Sequence, residues 1–230
     1  MKTIGLIGGM SWESSKVYYE YLNQMTKEAL GGSHSARLLL SSVDFAEIEK
    51  LSFEGDWNAI GELMANQAKI LENAGADMVV LCTNTIHLVS DAITSAINVP
   101  FLHIADATGK AIQEVGLKKV ALLGTKFTME KDFYTKILEN NYKLEVVLPN
   151  ERDRQFLQDV IYNELVKGTF TEKAKNECLR IIAELQHQGA EGVILGCTEL
   201  PILIPEAEVA IPTFNTTLLH SKMALDIVLN

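Results

Sequence analysis

Two stretches of the chain repeat one another, and that duplication limits the fold more than any single motif. "NAGADMVVLCTNT" (73–85) aligns without a gap against "HQGAEGVILGCTE" (187–199). Gly75 meets Gly189, Ala76 meets Ala190 and Asp77 meets Glu191. A second pair, "KTIGLIGG" (2–9) and "KKVALLGT" (118–125), sets Gly8 against Gly124 at nearly the same separation. Two blocks in the same order at nearly one spacing predict two related halves. The runs "DMVVLC" and "GVILGC" lack polar alternation, as expected of strands buried on both faces beneath helical layers.

Short β-rich runs alternate with amphipathic, helix-length segments along the whole chain, the pattern of an α/β fold with a mainly parallel sheet. Strands are expected at 3–8, 37–43, 78–82, 101–104, 119–124, 144–148, 192–196 and 210–212. Helices are expected at 14–30, 57–74, 87–96, 107–115, 131–140, 154–166, 171–188 and 216–228. The expected architecture is two similar α/β/α domains, pseudo-twofold related, with the active site in the cleft between them. Residues 1–98 with 208–230 would form the first lobe and 99–207 the second. The helix from Thr216 has no counterpart in the first half and is expected to pack back onto it.

The register of the repeat separates two neighbouring candidates. Cys82 falls opposite Gly196, whereas Thr83 falls opposite Cys197. Side chains alternate faces along a strand, so Cys82 and Thr83 should diverge. Across a pseudo-twofold axis the matched pair is Thr83 and Cys197, and Cys82 becomes the inward-packed neighbour.

Ligands of open α/β sheets bind beyond the carboxyl ends of the strands. The small polar clusters "GGMSWESS" (8–15), "SSVD" (41–44), "CTNT" (82–85), "GT" (124–125) and "GCTE" (196–199) all lie at such ends. Free N–H groups at the following helix starts suit a carboxylate, and Pro201 fits a first helical turn. A cysteine there has its thiolate favoured. Two facing groups with an anion cradle can remove a proton from one face of a carbon and return one to the other. That is stereoinversion by general acid–base catalysis, with Asn84, Thr85 and Thr198 as donors for the developing negative charge.

Composition excludes several alternatives. A net charge of −10 opposes a nucleic-acid surface and leaves any anionic ligand to local donors. Three cysteines without a CxxC pair make no disulfide framework. The start "MKTIGLIGGM" is too short an apolar run for a signal peptide, and no run is long enough to span a bilayer, so a cytoplasmic location without membrane association is expected. The histidines at 34, 87, 103, 187 and 220 show no zinc spacing. "GLIGGM" is not G-x-G-x-x-G, and no GxxxxGK[ST] occurs. His87 is expected to orient its loop or fill a polar pocket, and His103 to be a satisfied buried residue. Cys178, in "NECLRII", reads as packing or surface.

With "IGLIGGMSWESS", "CTNTIH", "FLHIADAT" and "GCTELPILIP" in place, the chain resembles the aspartate/glutamate racemase family over essentially its whole length. It is most similar to the bacterial broad-specificity or L-aspartate/glutamate-specific branches, which read GCTE where glutamate racemases read GCTH. The resemblance implies a homodimer acting on a small, acidic amino acid, with two cysteines flanking Cα and no pyridoxal phosphate or other cofactor. The second cysteine maps onto Cys197 and the first onto Thr83, a much weaker acid. Cys197 would then take the proton from L-substrates while Thr83 assists reprotonation, and the D-to-L direction would be slow.

Substrate contacts carried over in the same way fall on Met10, Ser11, Thr125 and Glu199. The family arginine after the second strand is missing from "DFAEIEKLSFEGDW", where Ser52 and Lys50 lie nearby. Lys167, in "NELVKGTF", matches a family lysine, although a lysine at a helix end also complements the dipole. Hydantoin racemisation, maleate isomerisation and malonate decarboxylation use a comparable second cysteine and stay open. A non-catalytic amino-acid-binding protein stays open as well.

Overall fold

A computed structural model describes residues 1–229 of the chain. In order, the elements are β1 (Ile4–Gly8), α1 (Trp12–Leu30), β2 (Leu38–Ser42), α2 (Phe45–Glu54), α3 (Trp57–Asn73), β3 (Met78–Leu81), α4 (Ser90–Thr94), β4 (Phe101–Leu102) and α5 (Ile104–Glu114). There follow β5 (Lys119–Gly124), α6 (Lys126–Glu130), α7 (Asp132–Tyr142), β6 (Glu145–Val147), α8 (Glu151–Asn163), α9 (Glu172–His187), β7 (Gly192–Gly196), α10 (Leu200–Leu203), β8 (Thr213–Asn215) and α11 (Thr216–Leu229). Short 3₁₀ turns cover Thr85–Val89, Leu165–Lys167 and Glu206–Glu208.

The duplication is explicit in the sheets. One is ordered β2-β1-β3-β4 and the other β6-β5-β7-β8, and every pairing is parallel. Each strand of the first sheet thus has its match in the second, and the expected α/β fold with two parallel sheets is what forms. Even the polar end of the repeat does one job twice. The Asp77 carboxylate accepts the Thr3 N–H at 2.6 Å, and the Glu191 carboxylate accepts the Lys118 and Lys119 N–H groups at 2.6 and 3.0 Å. In each half an acid ahead of one inner strand pins the start of its neighbour.

Alternation sorts the first sheet's side chains. Ile4, Leu6, Met78, Val80 and Cys82 pack with Tyr18 and Leu22 of α1 and with Ala224, Leu225 and Val228 of α11. Ile7, Val79 and Leu81 face the other way, onto Ile48 of α2 and Ile60, Met64, Ala68 and Leu71 of α3. The α3 residues recur at helical spacing, so one stripe of that helix covers the sheet. In the second unit α6, α8 and α9 pack against β5.

Contacts divide the chain into two compact units, Met1–Ile104 with the stretch from His220 onward, and Ala105–Leu219. These limits differ from the expected 1–98 plus 208–230 and 99–207. Pairing of β4 with β3 keeps residues up to 104 in the first unit, and pairing of β8 with β7 keeps 208–219 in the second. The last strand itself starts at Thr213, after the expected 210–212. Pro212 accepts the Val193 N–H through its carbonyl at 2.9 Å but has no N–H to donate.

Two helices were not expected. α2 is capped by the Asp44 side chain on the Ala46 N–H and stopped by left-handed Gly55, and it buries only Ile48 and Ser52. α6 is five residues long, capped by Thr125. α2 does carry Phe45, Ile48 and Leu51 at helical spacing, but over only ten residues, and α6 is too short to show a period. The segment expected as a helix from His87 to Ala96 is instead the 3₁₀ turn followed by α4.

Candidate active site

The turn after β1 is shaped by Gly9, whose φ is +94°. A β-carbon there would lie 2.2 Å from the Val43 carbonyl oxygen, so only glycine fits. The Ser15 hydroxyl accepts the Gly9 N–H at 2.8 Å and donates to the Ser11 carbonyl at 3.2 Å. Ser11 caps α1 through the Ser14 N–H at 3.3 Å. Met10 is buried in the α2/α3 core. β3 neighbours β1, and the Cys82 N–H donates to the Ile7 carbonyl at 2.9 Å. The loops carrying Met10–Ser11 and Thr83–Thr85 therefore leave adjacent strand ends.

Cys82 is fully buried toward α1 and α11, and burial pushes its thiol far above the ordinary range. Thr83 is partly exposed, Asn84 is buried and Thr85 is partly exposed.

In the second unit the inner strands end in register, Gly124 opposite Gly196. Thr125 follows the first and caps α6 through the Thr128 N–H at 3.2 Å. Cys197, 8% exposed, follows the second. Its thiol donates to a Glu199 carboxylate oxygen at 2.9 Å, and the Thr198 hydroxyl donates to that oxygen at 2.8 Å. Burial is the largest influence on Cys197, followed by the Glu199 charge and hydrogen bond, and together they hold the thiol well above its usual range. The Glu199 and Leu200 N–H groups favour the thiolate, as expected of a helix start, but are outweighed. α10 offers only four residues, too little aligned backbone to prevail against a neighbouring carboxylate.

The structure thus brings Thr125, Cys197, Thr198 and Glu199 to adjacent strand ends of one sheet, and Met10, Ser11, Thr83, Asn84 and Thr85 to those of the other. Ser52 and Lys167 lie apart from these clusters in the chain. The Ser52 hydroxyl, buried in α2, donates to the Ile48 carbonyl at 2.8 Å. Lys167 is exposed at the end of its 3₁₀ turn, just before left-handed Gly168. Cys178 is buried in α9, with its thiol pushed up to about 12.

A cluster that sequence reading left scattered lies in the first unit. The His87 ring centroid is 4.6 Å from that of His103 and 5.6 Å from those of His220 and Phe101. Burial, then the neighbouring His103 and His220, drive the His87 pKa well below the ordinary histidine range, against the Thr83 and Asn84 carbonyls. Burial also brings His220 down to about 3. "CTNTIH" and "FLHIAD" placed the first two near strand ends, but nothing local announces that His220, on the helix expected to pack back onto the first half, reaches them.

Among the described residues no three metal-ligating side chains are grouped to hold a metal ion. None of the helices there is long and apolar enough to cross a membrane. Two parallel sheets of one order, each closing on a polar strand-end cluster and one holding a thiol against a carboxylate, place the chain among duplicated α/β enzymes.

Residues 7–224 match the Asp/Glu/Hydantoin racemase family, and the chain belongs to that family. It is 24% identical to the broad-specificity amino-acid racemase RacX of Bacillus subtilis (strain 168), covering 95% of both chains. A Yersinia pestis crystal structure of a candidate Asp/Glu racemase superposes with a TM-score of 0.94 at 45% identity over 100% of both chains. An aspartate racemase homologue from Pyrococcus horikoshii OT3 gives 0.86 at 37%, again over 100% of both. The protein is accordingly an isomerase of the amino-acid racemase type.

Proposed function

We propose that the protein inverts Cα of acidic amino acids without pyridoxal phosphate, with Cys197 and Thr83 serving opposite faces of one substrate. The observation that carries this reading is the Cys197–Glu199 hydrogen bond just past the end of inner strand β7, whose counterpart β3 in the first sheet leads through Cys82 into Thr83. The thiol proton passes to the Glu199 carboxylate and leaves a thiolate, a shift that the ammonium of an arriving amino acid favours. The thiolate then takes the Cα proton, and the C–H electron pair remains on carbon as a carbanion. Thr83 passes a proton to the opposite face, from its own hydroxyl or from water. Glu199 thus acts on the thiol instead of contacting the substrate carboxylate, which it would repel.

Asn84, Thr85 and Thr125 supply the hydrogen-bonding side chains for the α-carboxylate, and Thr198 joins them when its hydroxyl turns from Glu199, to which it donates in the free protein. Lys167 is the proposed cation for a distal carboxylate, and Met10, Ser11 and Ser52 complete the surroundings of the substrate. Only the Cys197 side offers a group able to act as base near neutral pH, so proton removal favours one enantiomer. The proposed enantiomer is the L-isomer, a choice that rests on the family resemblance. The protein is proposed to work in the cytoplasm as a homodimer.

Proton NMR in D₂O with a panel of L-amino acids tests the reading. The Cα–H signal of L-aspartate or L-glutamate should disappear without added pyridoxal phosphate. Absence of exchange with every acidic and neutral amino acid would refute it. Thr83→Cys places a second ionisable thiol on the other side, and exchange of the D-substrates should rise by about 10-fold or more. An unchanged D-rate would remove Thr83 from the reacting pair.

A further inference from the structure

His87 is fully buried in the 3₁₀ turn that follows Thr83. Its Nδ1 lies 2.7 Å from the Thr83 carbonyl oxygen, and its Nε2 lies 3.2 Å from the Ile104 backbone nitrogen. A carbonyl only accepts and an N–H only donates. Both bonds therefore form only when Nδ1 carries the proton, Nε2 is bare and the ring is neutral.

The Leu102 carbonyl places a proton on Nε2 of His220, and burial keeps that ring neutral, so it holds the opposite tautomer. Its Nε2 donates to the Leu102 carbonyl at 3.0 Å, and its Nδ1 accepts from the Tyr18 hydroxyl at 2.8 Å. Segment 102–104 is thereby held through the Leu102 carbonyl by His220 and through the Ile104 N–H by His87. Burying neutral imidazoles where apolar side chains would fit is unfavourable unless their hydrogen bonds do something packing cannot. Here one of those bonds ends on the peptide of Thr83, just past the last β1–β3 pair, Ile7 with Leu81.

We propose that His87 is a positioning residue for Thr83: its Nδ1–H fixes the Thr83–Asn84 peptide, while the bond from Ile104 to Nε2 selects the tautomer that can do so. The consequence for turnover rests on the proposed role of Thr83; the consequence for the peptide does not. His103, in ring contact with His87, and His220 surround an imidazole whose neutral form the turn requires.

Two substitutions separate the two bonds. His87→Asn keeps an amide N–H near the Nδ1 position, and His87→Gln keeps an amide oxygen near the Nε2 position. Each loses one buried hydrogen bond, so a purely structural role predicts equal effects on every readout. With the positioning role, the Thr83 and Asn84 amide resonances stay near their wild-type places in the Asn variant and move in the Gln variant. kcat falls about 30-fold in the Gln variant, with KM little changed, and within about threefold of wild type in the Asn variant.

Imidazole ¹⁵N NMR of the unaltered protein at pH 7 should show Nδ1–H with bare Nε2 for His87 and the reverse for His220. A protonated Nε2 on His87, or amide resonances displaced equally in both variants, would overturn the proposal even if the variants fold poorly or the protein lacks turnover. A wild-type protein that racemises no amino acid defeats the functional reading alone, since the amide resonances still decide the positioning. Equal kcat losses in an active protein would refute the catalytic consequence.

Discussion

Cys197→Ser is expected to lower Cα–H exchange of L-substrates by about 10³-fold while leaving the protein folded. Serine keeps the size of the side chain and can still donate to the Glu199 carboxylate, the contact the thiol makes at 2.9 Å. The cavity and lost-hydrogen-bond penalties of an alanine are thereby avoided. An alcohol, however, resists ionisation far more strongly than a thiol, and burial beside a carboxylate holds even the thiol protonated in the free protein. The serine variant therefore lacks a base strong enough to remove the Cα proton. Exchange rates in D₂O and a thermal midpoint within a few degrees of wild type are the paired measurements. Retention of more than a tenth of the exchange rate would show that another group removes the proton.

The second large effect is a loss of stability on mild acidification. His87 and His220 are buried and neutral, and both have folded pKa values below the ordinary 6.5, His220 at about 3. Below pH 6.5 each takes up a proton in the unfolded chain but not in the folded one. Their stabilising contribution is fully present above 6.5 and is lost as pH falls toward the folded values. His220, with its folded value at about 3, would alone lose roughly 2 kcal/mol by pH 5 at a slope of about 1.4 kcal/mol per pH unit, and His87 shifts stability in the same direction. Against a typical net stability of about 5–15 kcal/mol this is a large share. Urea midpoints between pH 7 and 5 measure it, in a window that lies above the titration of Asp132 and Glu191, both of which are lowered from the carboxylate range. A flat profile across that window would mean that the two imidazoles do not stay neutral and enclosed.

Much of this molecule is legible one segment at a time. The repeat around Ala76 and Ala190 announced two parallel sheets, and the structure gives them the same strand order. Alternation along β3 sends Cys82 into the core with Met78 and Val80, as the repeat register required. Short elements, such as the ten-residue α2, escaped that reading although Phe45, Ile48 and Leu51 share one face of it. Pro212 shifted β8 because a missing N–H matters only once a partner strand is known.

Periodicity and the repeat, both properties of nearby residues, determined the α/β class, the two equivalent sheets and the placement of Thr83 and Cys197 at matching strand ends. Tertiary structure alone decided that Glu199 turns its carboxylate to the Cys197 thiol, that His220 returns across 118 positions to the Leu102 carbonyl, and that His87 binds the Thr83 peptide. The physical reason is range. Apolar patterning acts through burial, which neighbours along a strand or helix share, whereas a hydrogen bond depends on direction and distance that only the folded chain sets.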